Sequence, residues 1–235
     1  MKEKIVALVP AAGTGTRLGD ALPKQYLDVN GYPMIYHALA VLCRIARIAK
    51  IGVVLSPDDG HWQGLIADAE AGRLLGTRVT TWPVGGPSRS KSVLNGLKAM
   101  TGEMHADDWV MVHDAARPCI RAELIEQFID ELEADPVGGL LALPLADTLK
   151  RDDGNLRVDR TLDREGIWRA QTPQMFRYGM LVSALERLPG ATDESQAIES
   201  LGHQPKLVMG DSANLKVTYA PDLKLARILL REEIS

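Results

Sequence analysis

The sequence reads IVALV at residues 5–9 and PAAGTGTRLG at residues 10–19. An uninterrupted β-branched and aliphatic run is typical of a strand that is covered on both faces, as in a parallel sheet. The proline and the glycines that follow predict a tight turn. Small residues in such a turn let the backbone approach a phosphate chain, whose charge the turn's N–H groups can bind. The same residues are also consistent with a plain turn between a strand and a helix.

Strands and helices alternate along the rest of the chain. Apolar runs predict further strands at residues 51–55, 109–112, 138–143, 167–170 and 206–209, and apolar spacing predicts helices at 33–47, 178–188, 193–201 and from about 221. This order predicts right-handed βαβ units, an α/β fold and a largely parallel sheet. Ligands of such sheets bind beyond the carboxyl ends of the strands, so we expect a site at the turns after Val9 and Val112. No repeat or linker is visible, so we expect residues 1–235 to form a single domain.

Residues 145–166 differ from the rest because they are polar and highly charged. The run Asp152-Asp153-Gly154-Asn155 predicts a hairpin turn, after which Leu156 and Val158 alternate with charged residues. A two-stranded arm with one thin apolar face follows from this pattern. An isolated hairpin is marginally stable in water, so we expect the arm to pack against another surface, most simply a second copy of the chain.

The composition argues against several classes of function. The chain has 27 Lys and Arg against 31 Asp and Glu, a net charge of −4, which gives no broad basic surface for nucleic acid. Its two cysteines show no metal-ligand spacing and favour a reducing cytoplasm. The apolar run 5–12 is too short for a signal peptide or a membrane span. We therefore expect a soluble cytoplasmic protein with neither nucleic-acid nor membrane partners.

Two familiar phosphate-binding loops do not fit the glycine-rich turn. The glycines at 13, 15 and 19 miss the GxGxxG pattern, because Leu18 stands where the third glycine belongs. This mismatch disfavours an NAD-type oxidoreductase. No GxxxxGK[ST] motif follows either. Another kind of phosphate site is required if the turn binds a nucleotide.

Arg17 and Lys24 supply positive charge next to this turn. Either residue alone is typical of a solvated surface. Two cations within one loop, with glycines beneath them, indicate instead that they converge on a triphosphate.

A second candidate cluster, HDAARP, occupies residues 113–118 at the end of a strongly apolar strand. Asp114 is the metal candidate, because Mg²⁺ prefers oxygen ligands and often uses only one or two protein carboxylates. His113 has no other histidine at ligand spacing, so we interpret it as a structural hydrogen-bonding group. Arg117 fits either a phosphate ligand or the cap of a turn.

Two shorter segments add weaker indications. Residues 85–93 read GGPSRSKSV, a glycine turn that opens a helix, where amides and hydroxyls can meet a base or ribose. Ser92 there is equally consistent with an ordinary residue of a first helical turn. Residues 214–218 read NLKVT and predict a short strand carrying Lys216, which otherwise is an exposed edge charge.

Together these segments resemble the 2-C-methyl-D-erythritol 4-phosphate cytidylyltransferases of the non-mevalonate isoprenoid pathway. The resemblance extends over nearly the whole chain. The matching runs are PAAG at 10–13 with Arg17, PKQYL at 23–27, VHDAARP at 112–118, DTLK at 147–150, DR at 163–164 with Trp168, TPQ at 172–174, TDE at 192–194 and KVT at 216–218.

The resemblance implies a Rossmann-like nucleotidyltransferase fold, with a mostly parallel twisted sheet, helices on both faces and a protruding β-hairpin arm. It also implies a homodimer clasped by the 145–166 arm, with an acceptor site shared between subunits. The implied reaction is a Mg²⁺-dependent transfer of a cytidylyl group from CTP to methylerythritol 4-phosphate, giving 4-diphosphocytidyl-2-C-methyl-D-erythritol and pyrophosphate.

The resemblance also implies roles for individual residues. Arg17, Lys24 and Lys216 would bind the triphosphate and act in catalysis, and Asp114 would bind Mg²⁺ and the acceptor. Thr148 and Arg164 would reach over from the partner subunit and bind the acceptor phosphate. Cytosine and ribose would be selected by Ala11, Ala12 and Gly13 with Gly86 and Ser92. Arg117 completes the predicted substrate-binding set.

Two positions depart from the family pattern, and two other functions remain open. Pro87 follows the Gly85-Gly86 pair where many members carry an acidic residue, and Lys91 likewise stands where an acidic residue occurs. Proline cannot accept a bond from a ribose hydroxyl through its side chain, so residue 87 is left out of the predicted site. The alternatives are a cytidylyltransferase for another polyol phosphate, such as ribitol 5-phosphate, and a non-catalytic nucleotide-sensing domain. A sensing domain would not need Arg17, Lys24, Asp114 and Lys216 together.

Overall fold

The computed structural model describes residues 3–13, 22–76 and 78–232, and all structural statements refer to these ranges. The strands are β1 (Ile5–Pro10), β2 (Asp28–Val29), β3 (Tyr32–Pro33), β4 (Ile48–Val54), β5 (Val79–Trp82), β6 (Trp109–Val112), β7 (Gly138–Pro144), β8 (Leu149–Asp152), β9 (Val158–Leu162), β10 (Trp168–Arg177) and β11 (Lys206–Met209). The helices are α1 (Met34–Arg44), α2 (Trp62–Ala67), α3 (Ala69–Leu75), α4 (Arg89–Ala99), α5 (Ala122–Leu132), α6 (Tyr178–Arg187), α7 (Glu194–Glu199) and α8 (Ala220–Glu232), with a 3₁₀ turn at Lys24–Tyr26.

A seven-stranded sheet in the order β11-β7-β10-β6-β1-β4-β5 forms the centre of the fold. β1 pairs in parallel with β4 and β6, β4 with β5, and β7 with β11. Only β10 runs against its neighbours in this sheet, β6 and β7. The predicted α/β architecture with a mostly parallel sheet is confirmed.

Helices cover both faces of this sheet, as the apolar run at the start of the chain predicts. Ala7 and Val9 of β1 pack into a core cluster with residues of α1 and α5. Val6 and Leu8 point the other way, into a cluster with residues of α4 and α6. Successive side chains of a strand alternate between faces, so a strand buried on both sides needs an unbroken apolar sequence.

Gly96 allows α4 to lie close to the sheet. A Cβ atom at this position would be 2.5 Å from Val54 Cγ2 and 2.9 Å from Leu8 Cδ1. The Ser88 side chain caps the helix, accepting a bond from the Lys91 amide at 3.1 Å. α4 is thereby held with its first turn at the edge of the sheet where β1 and β4 end.

The predicted arm is confirmed as an antiparallel hairpin of β8 and β9. The Asp153 amide donates to the Arg157 carbonyl across the turn at 3.0 Å. Leu156 is 94% exposed and Val158 63% exposed. The apolar face of the arm therefore has no cover within the described chain.

Two sequence predictions differ from the structure. The strand predicted at 167–170 continues to Arg177, with an irregularity in its pairing with β7 between Ala170 and Gln174. The side chains of Gln171, Thr172 and Gln174 at this irregularity are buried. Residues 214–218 form no strand, and their backbone contact with the loop after β6 is the bond from the Val217 amide to the Ala116 carbonyl. No helix in the described ranges is long and apolar enough to cross a membrane.

Candidate active site

A cavity of about 440 Å³ opens at the edge of the sheet where β1 and β6 end. Its walls are Pro10, Ala11, Ala12, Gly13, Lys24, Gln25, Gly86, Pro87, Ser88, Arg89, Ser92, Asp114, Ala115, Ala116 and Lys216. These residues come from the loops that follow β1, β5, β6 and β11, from the 3₁₀ turn and from the first turn of α4. The cavity lies where the sequence predicts a ligand site, beyond the carboxyl ends of the strands.

The floor of the cavity is the backbone that follows β1. The Ala11 amide donates to Val54 O at 2.8 Å, and its carbonyl accepts a bond from Gln25 Nε2 at 2.7 Å. Gly85 lies directly against this segment, since a Cβ there would be 2.3 Å from the Ala12 Cβ. Ala11 is thus held by two hydrogen bonds, and Ala12 is packed against Gly85. Arg17, predicted to act beside them, lies outside the described residues.

Lys24 and Lys216 bring two ammonium groups to the cavity from distant parts of the chain. Lys24 lies in the 3₁₀ turn, and its Nζ is 3.4 Å from the carbonyl of Val217. Lys216 is 42% exposed, and its Nζ is 2.7 Å from Asp114 Oδ2. The structure places both predicted lysines in one cavity.

Asp114 occupies the centre of this charge cluster and is only 6% exposed. Its Oδ1 accepts a bond from Arg89 Nε at 2.7 Å, while Lys216 binds the other oxygen. Burial alone would raise the pKa of Asp114, but Arg89, Lys216 and Arg117 outweigh it and hold the pKa well below its usual range. The carboxylate is therefore ionised and acts only as an acceptor.

Arg89 is a residue of the site that the sequence analysis did not select. Its NH1 and NH2 groups donate to Glu194 Oε1 and Oε2 at 2.7 and 3.0 Å. Glu194 is completely buried in the first turn of α7. Glu194 belongs to the matching run TDE, which was a signal for its importance. Its partner lies 105 positions away, and no local pattern reveals such a pairing.

Arg117 and His113 lie beneath the cavity, not in its lining. Arg117 is buried and donates from NH1 to Asn214 O at 2.7 Å, holding the loop that carries Lys216. His113 is completely buried, with its ring nitrogens 3.2 Å from Thr172 Oγ1 and 3.3 Å from Arg117 O. These bonds agree with the structural interpretation of His113. Binding of substrate by Arg117 stays a prediction.

The loop before α4 folds onto the helix through Ser92. The Ser92 hydroxyl donates to Ser88 O at 2.9 Å and accepts a bond from the Gly86 amide at 3.0 Å. Gly86, Pro87 and Ser92 all line the cavity. Pro87, which was left out of the predicted site, is therefore part of its wall.

Thr148 and Arg164 lie on the arm, and both are exposed. Neither lines the cavity of its own chain. Their contact with an acceptor phosphate stays a prediction.

The described residues contain no group of three or more His, Cys, Asp or Glu side chains placed to hold a metal ion. Asp114 is the carboxylate in the wall of the cavity. A metal here would take its remaining ligands from phosphate oxygens and water, a common arrangement for Mg²⁺.

Comparison with known proteins identifies the family. Residues 5–232 match the family model of IspD, 2-C-methyl-D-erythritol 4-phosphate cytidylyltransferase. A relative of that name from Nitrosospira multiformis is 51% identical over 97% of this chain and 98% of its own length. Another from Dechloromonas aromatica is 52% identical over 96% of both chains.

Solved structures agree with these relatives. A crystal structure of 4-diphosphocytidyl-2C-methyl-D-erythritol synthase matches with a TM-score of 0.84 and 37% identity, covering 98% of this chain and 99% of its own. The 2-C-methyl-D-erythritol 4-phosphate cytidylyltransferase of Thermus thermophilus matches with a TM-score of 0.76 and 30% identity, covering 97% and 99%. The protein therefore belongs to the 2-C-methyl-D-erythritol 4-phosphate cytidylyltransferase family.

Proposed function

We propose that this enzyme transfers the cytidylyl group of CTP to 2-C-methyl-D-erythritol 4-phosphate, giving 4-diphosphocytidyl-2-C-methyl-D-erythritol and pyrophosphate. The observation that carries the proposal is the family match over residues 5–232. The cavity supports it, because cationic side chains from distant segments surround one ionised carboxylate there. A reaction between two polyanions needs such a charge arrangement.

Charge repulsion is the main obstacle to this reaction. An oxygen of the acceptor phosphate attacks the α-phosphorus of CTP, and the bond to pyrophosphate breaks. A phosphate monoester has its second pKa near about 6, so the attacking oxygen is already ionised at neutral pH and needs no general base. Lys24, Lys216 and Arg17 would hold the triphosphate and stabilise the added negative charge. Positioning and electrostatics then supply most of the rate.

Lys216 is suited to exchange one anion for another. Lys216 pairs with Asp114 through an ammonium group whose side chain is 42% exposed. The long flexible side chain lets this group reach either Asp114 or a phosphate oxygen in the same cavity. A phosphate oxygen of the entering triphosphate would thus replace Asp114 as the partner of the Lys216 ammonium group.

We assign Asp114 as the protein ligand of Mg²⁺. Its donor set fits, because the carboxylate is ionised, lies in the cavity wall and has two oxygens with further lone pairs. When bound, Mg²⁺ would neutralise phosphate charge and help to align the two substrates. Asp114 and the lysines would orient the phosphates around it.

The cytosine and ribose would bind along the cavity wall formed by residues 11–13, Gly86 and Ser92. The small residues of this wall would let a base edge approach the backbone closely. Pro87 offers no side-chain acceptor for a ribose hydroxyl, so that recognition would rest on neighbouring groups.

We further propose a homodimer in which the arm of each subunit completes the partner's acceptor site. Leu156 and Val158 leave an apolar face uncovered on the arm, and a second copy of the chain would cover it. Thr148 and Arg164 would then bind the acceptor phosphate across the interface. Both cysteines are free and buried, which suits a reducing cytoplasm.

The proposal is tested by measuring pyrophosphate release with each of the four nucleoside triphosphates and two acceptors. We expect turnover only with CTP, and a much higher kcat/KM with methylerythritol 4-phosphate than with ribitol 5-phosphate. A preference for ribitol 5-phosphate would reassign the acceptor. Binding of CTP without turnover on either acceptor would indicate a nucleotide-sensing domain.

A further inference from the structure

A line of alternating charges leads from the cavity into the core. It runs Lys216 to Asp114 at 2.7 Å, Asp114 to Arg89 at 2.7 Å, and Arg89 to Glu194 at 2.7 and 3.0 Å. The first three residues line the cavity, but Glu194 does not. Glu194 is completely buried, and both of its carboxylate oxygens bond Arg89, which links it to the cavity.

The two oxygens of Asp114 are held in different ways. Oδ1 is bonded to Arg89, whose Nε, NH1 and NH2 are all engaged, two of them in a planar fork on Glu194. Oδ2 is bonded to Lys216, whose side chain is about half exposed. Oδ1 is therefore fixed, while Oδ2 is exchangeable.

Glu194 is itself firmly placed. It begins α7, and the Asp193 side chain caps that helix by accepting a bond from the Gln196 amide at 2.9 Å. Gln174 of β10 braces the same turn, accepting from the Ser195 amide at 2.8 Å and donating to Asp193 Oδ2 at 3.1 Å. The Glu194 carboxylate that binds Arg89 therefore projects from a turn that several hydrogen bonds hold in place.

Stability alone gives a poor account of this buried ion pair. Burying two charges carries a large desolvation cost, and well-packed apolar residues often stabilise a fold as well or better. A pair that fixes the orientation of a reactive carboxylate has a second use, since small misplacements of reacting groups strongly lower rates.

We propose that Glu194 is a positioning residue for cytidylyl transfer, acting through Arg89. It fixes Oδ1 of Asp114, so that Oδ2 faces the cavity and exchanges Lys216 for the incoming ligands. This inference rests on the proposed function, because its effect is on the turnover of CTP and methylerythritol 4-phosphate.

The test compares Glu194→Gln, Arg89→Met and the double variant in steady-state kinetics and thermal melting. We expect Glu194→Gln to lower kcat about tenfold and Arg89→Met about a hundredfold, with KM for CTP changed less than about threefold. The double variant leaves no buried charge without a partner, so its melting temperature should rise above that of Arg89→Met. Its kcat should nevertheless stay within about threefold of Arg89→Met, since both changes act through one path.

Lys98→Met with Glu186→Gln is the matched control. This pair, 2.7 Å apart, also links α4 to a neighbouring helix, but both side chains are half exposed and neither lines the cavity. We expect it to leave kcat unchanged. A double variant at 89 and 194 that regains wild-type kcat along with its melting temperature would make the pair purely structural and overturn the inference.

Two further outcomes distinguish this inference from the proposed function. Wild-type kcat in Glu194→Gln, or a loss confined to KM for CTP, would overturn the positioning role while leaving the function intact. A wild-type protein inactive on CTP and methylerythritol 4-phosphate would overturn the proposed function and the inference with it.

Discussion

Lys24 is the residue that tests the electrostatic account of the reaction most directly. Its ammonium group lies in the cavity wall, on a 3₁₀ turn whose remaining residues are buried. Lys24→Ala should reduce kcat by about 10²–10³, a barrier increase of roughly 3–4 kcal/mol, which is typical for the loss of one transition-state donor. Steady-state pyrophosphate release measures this change.

The control for Lys24→Ala is Lys224→Ala, which removes an exposed lysine of α8 that does not line the cavity. Circular dichroism and melting temperature should be close to wild type for both variants. Near-normal turnover of Lys24→Ala would remove this residue from the mechanism.

His113 gives the protein a pH-dependent stability. Complete burial lowers its pKa to about 4, whereas a histidine in an unfolded chain has a pKa of about 6.5. Between these two pH values the ring is neutral in the folded state and protonated in the unfolded state. The unfolded state then binds more protons, and the free energy of unfolding falls as the pH drops from about 6.5 to about 4. Over this window the loss from His113 is at most about 3 kcal/mol.

Urea unfolding at several pH values in metal-free buffer measures this effect. His113→Asn should show a flatter pH dependence than wild type between about pH 6.5 and 4. Burial also lowers the pKa of His37, so part of the dependence should remain in the variant. Parallel pH profiles for the two proteins would show that His113 titrates normally in the folded state.

Site residues near conspicuous sequence motifs were predictable, while those defined by tertiary pairing were not. Lys24 and Asp114 stand in motifs that already indicated phosphate and metal binding, while Lys216 was selected through the family resemblance, and the fold brings the three together. Arg89 lay in a quoted segment but looked like an ordinary helix residue. Its importance arises from a fully buried glutamate far away in sequence, a relation that only the fold creates.

At the level of elements, the close packing of α4 on the sheet can be tested through its glycine. Gly96→Ala improves helix propensity, yet its Cβ would meet Val54 and Leu8 at less than 3 Å. We expect a net destabilisation of about 1–3 kcal/mol, measured by urea unfolding. Gly64→Ala in α2 meets no atom within 4 Å and should stabilise by about 0.5–1 kcal/mol.

Equal effects of the two glycine substitutions would contradict the close approach of α4. A shift of α4 would also displace Arg89 and Ser92 at its first turns, so Gly96→Ala should lower kcat as well. Gly64→Ala, on a helix away from the cavity, should leave kcat unchanged.

Elements with a regular pattern of apolar residues were predictable from the sequence, and those stabilised by polar contacts were not. The boundaries of β6 and β11 agree with the prediction, because their apolar runs are short and sharply bounded. β10 was predicted too short, since Gln171-Thr172-Pro173-Gln174 looks like a break. Those side chains are buried, and Gln171 Nε2 bonds Asp211 O at 2.9 Å. Partners so distant cannot be inferred from the local sequence.

At the scale of the whole molecule, the proposed shared site predicts complementation between two impaired variants, assayed at an acceptor concentration at which each alone has little activity. Lys24→Ala and Arg164→Ala remove groups that the shared-site arrangement draws from different subunits. When the two proteins are unfolded together and refolded as a mixture, random pairing gives half heterodimers, each with one intact site. The mixture should regain about a quarter of wild-type activity.

The control mixture combines Lys24→Ala with Lys216→Ala, both in the wall of one cavity. A heterodimer of these two has no intact site, so the activity should stay at the level of the separate variants. Absence of complementation in the first mixture, with dimers confirmed by light scattering, would contradict the exchange of arms. Arg164→Ala alone should weaken binding of the acceptor with little effect on that of CTP.

β10 connects the arm to the centre of the cavity in one continuous run of backbone. It begins at Trp168, beside the base of the arm, and passes Thr172, whose hydroxyl accepts a bond from the Asp114 amide at 3.0 Å. In a dimer with exchanged arms, the same strand would hold the backbone of Asp114 in its own subunit and support the arm that completes the partner's site. A substitution that shifts β10 would therefore alter both catalytic centres at once.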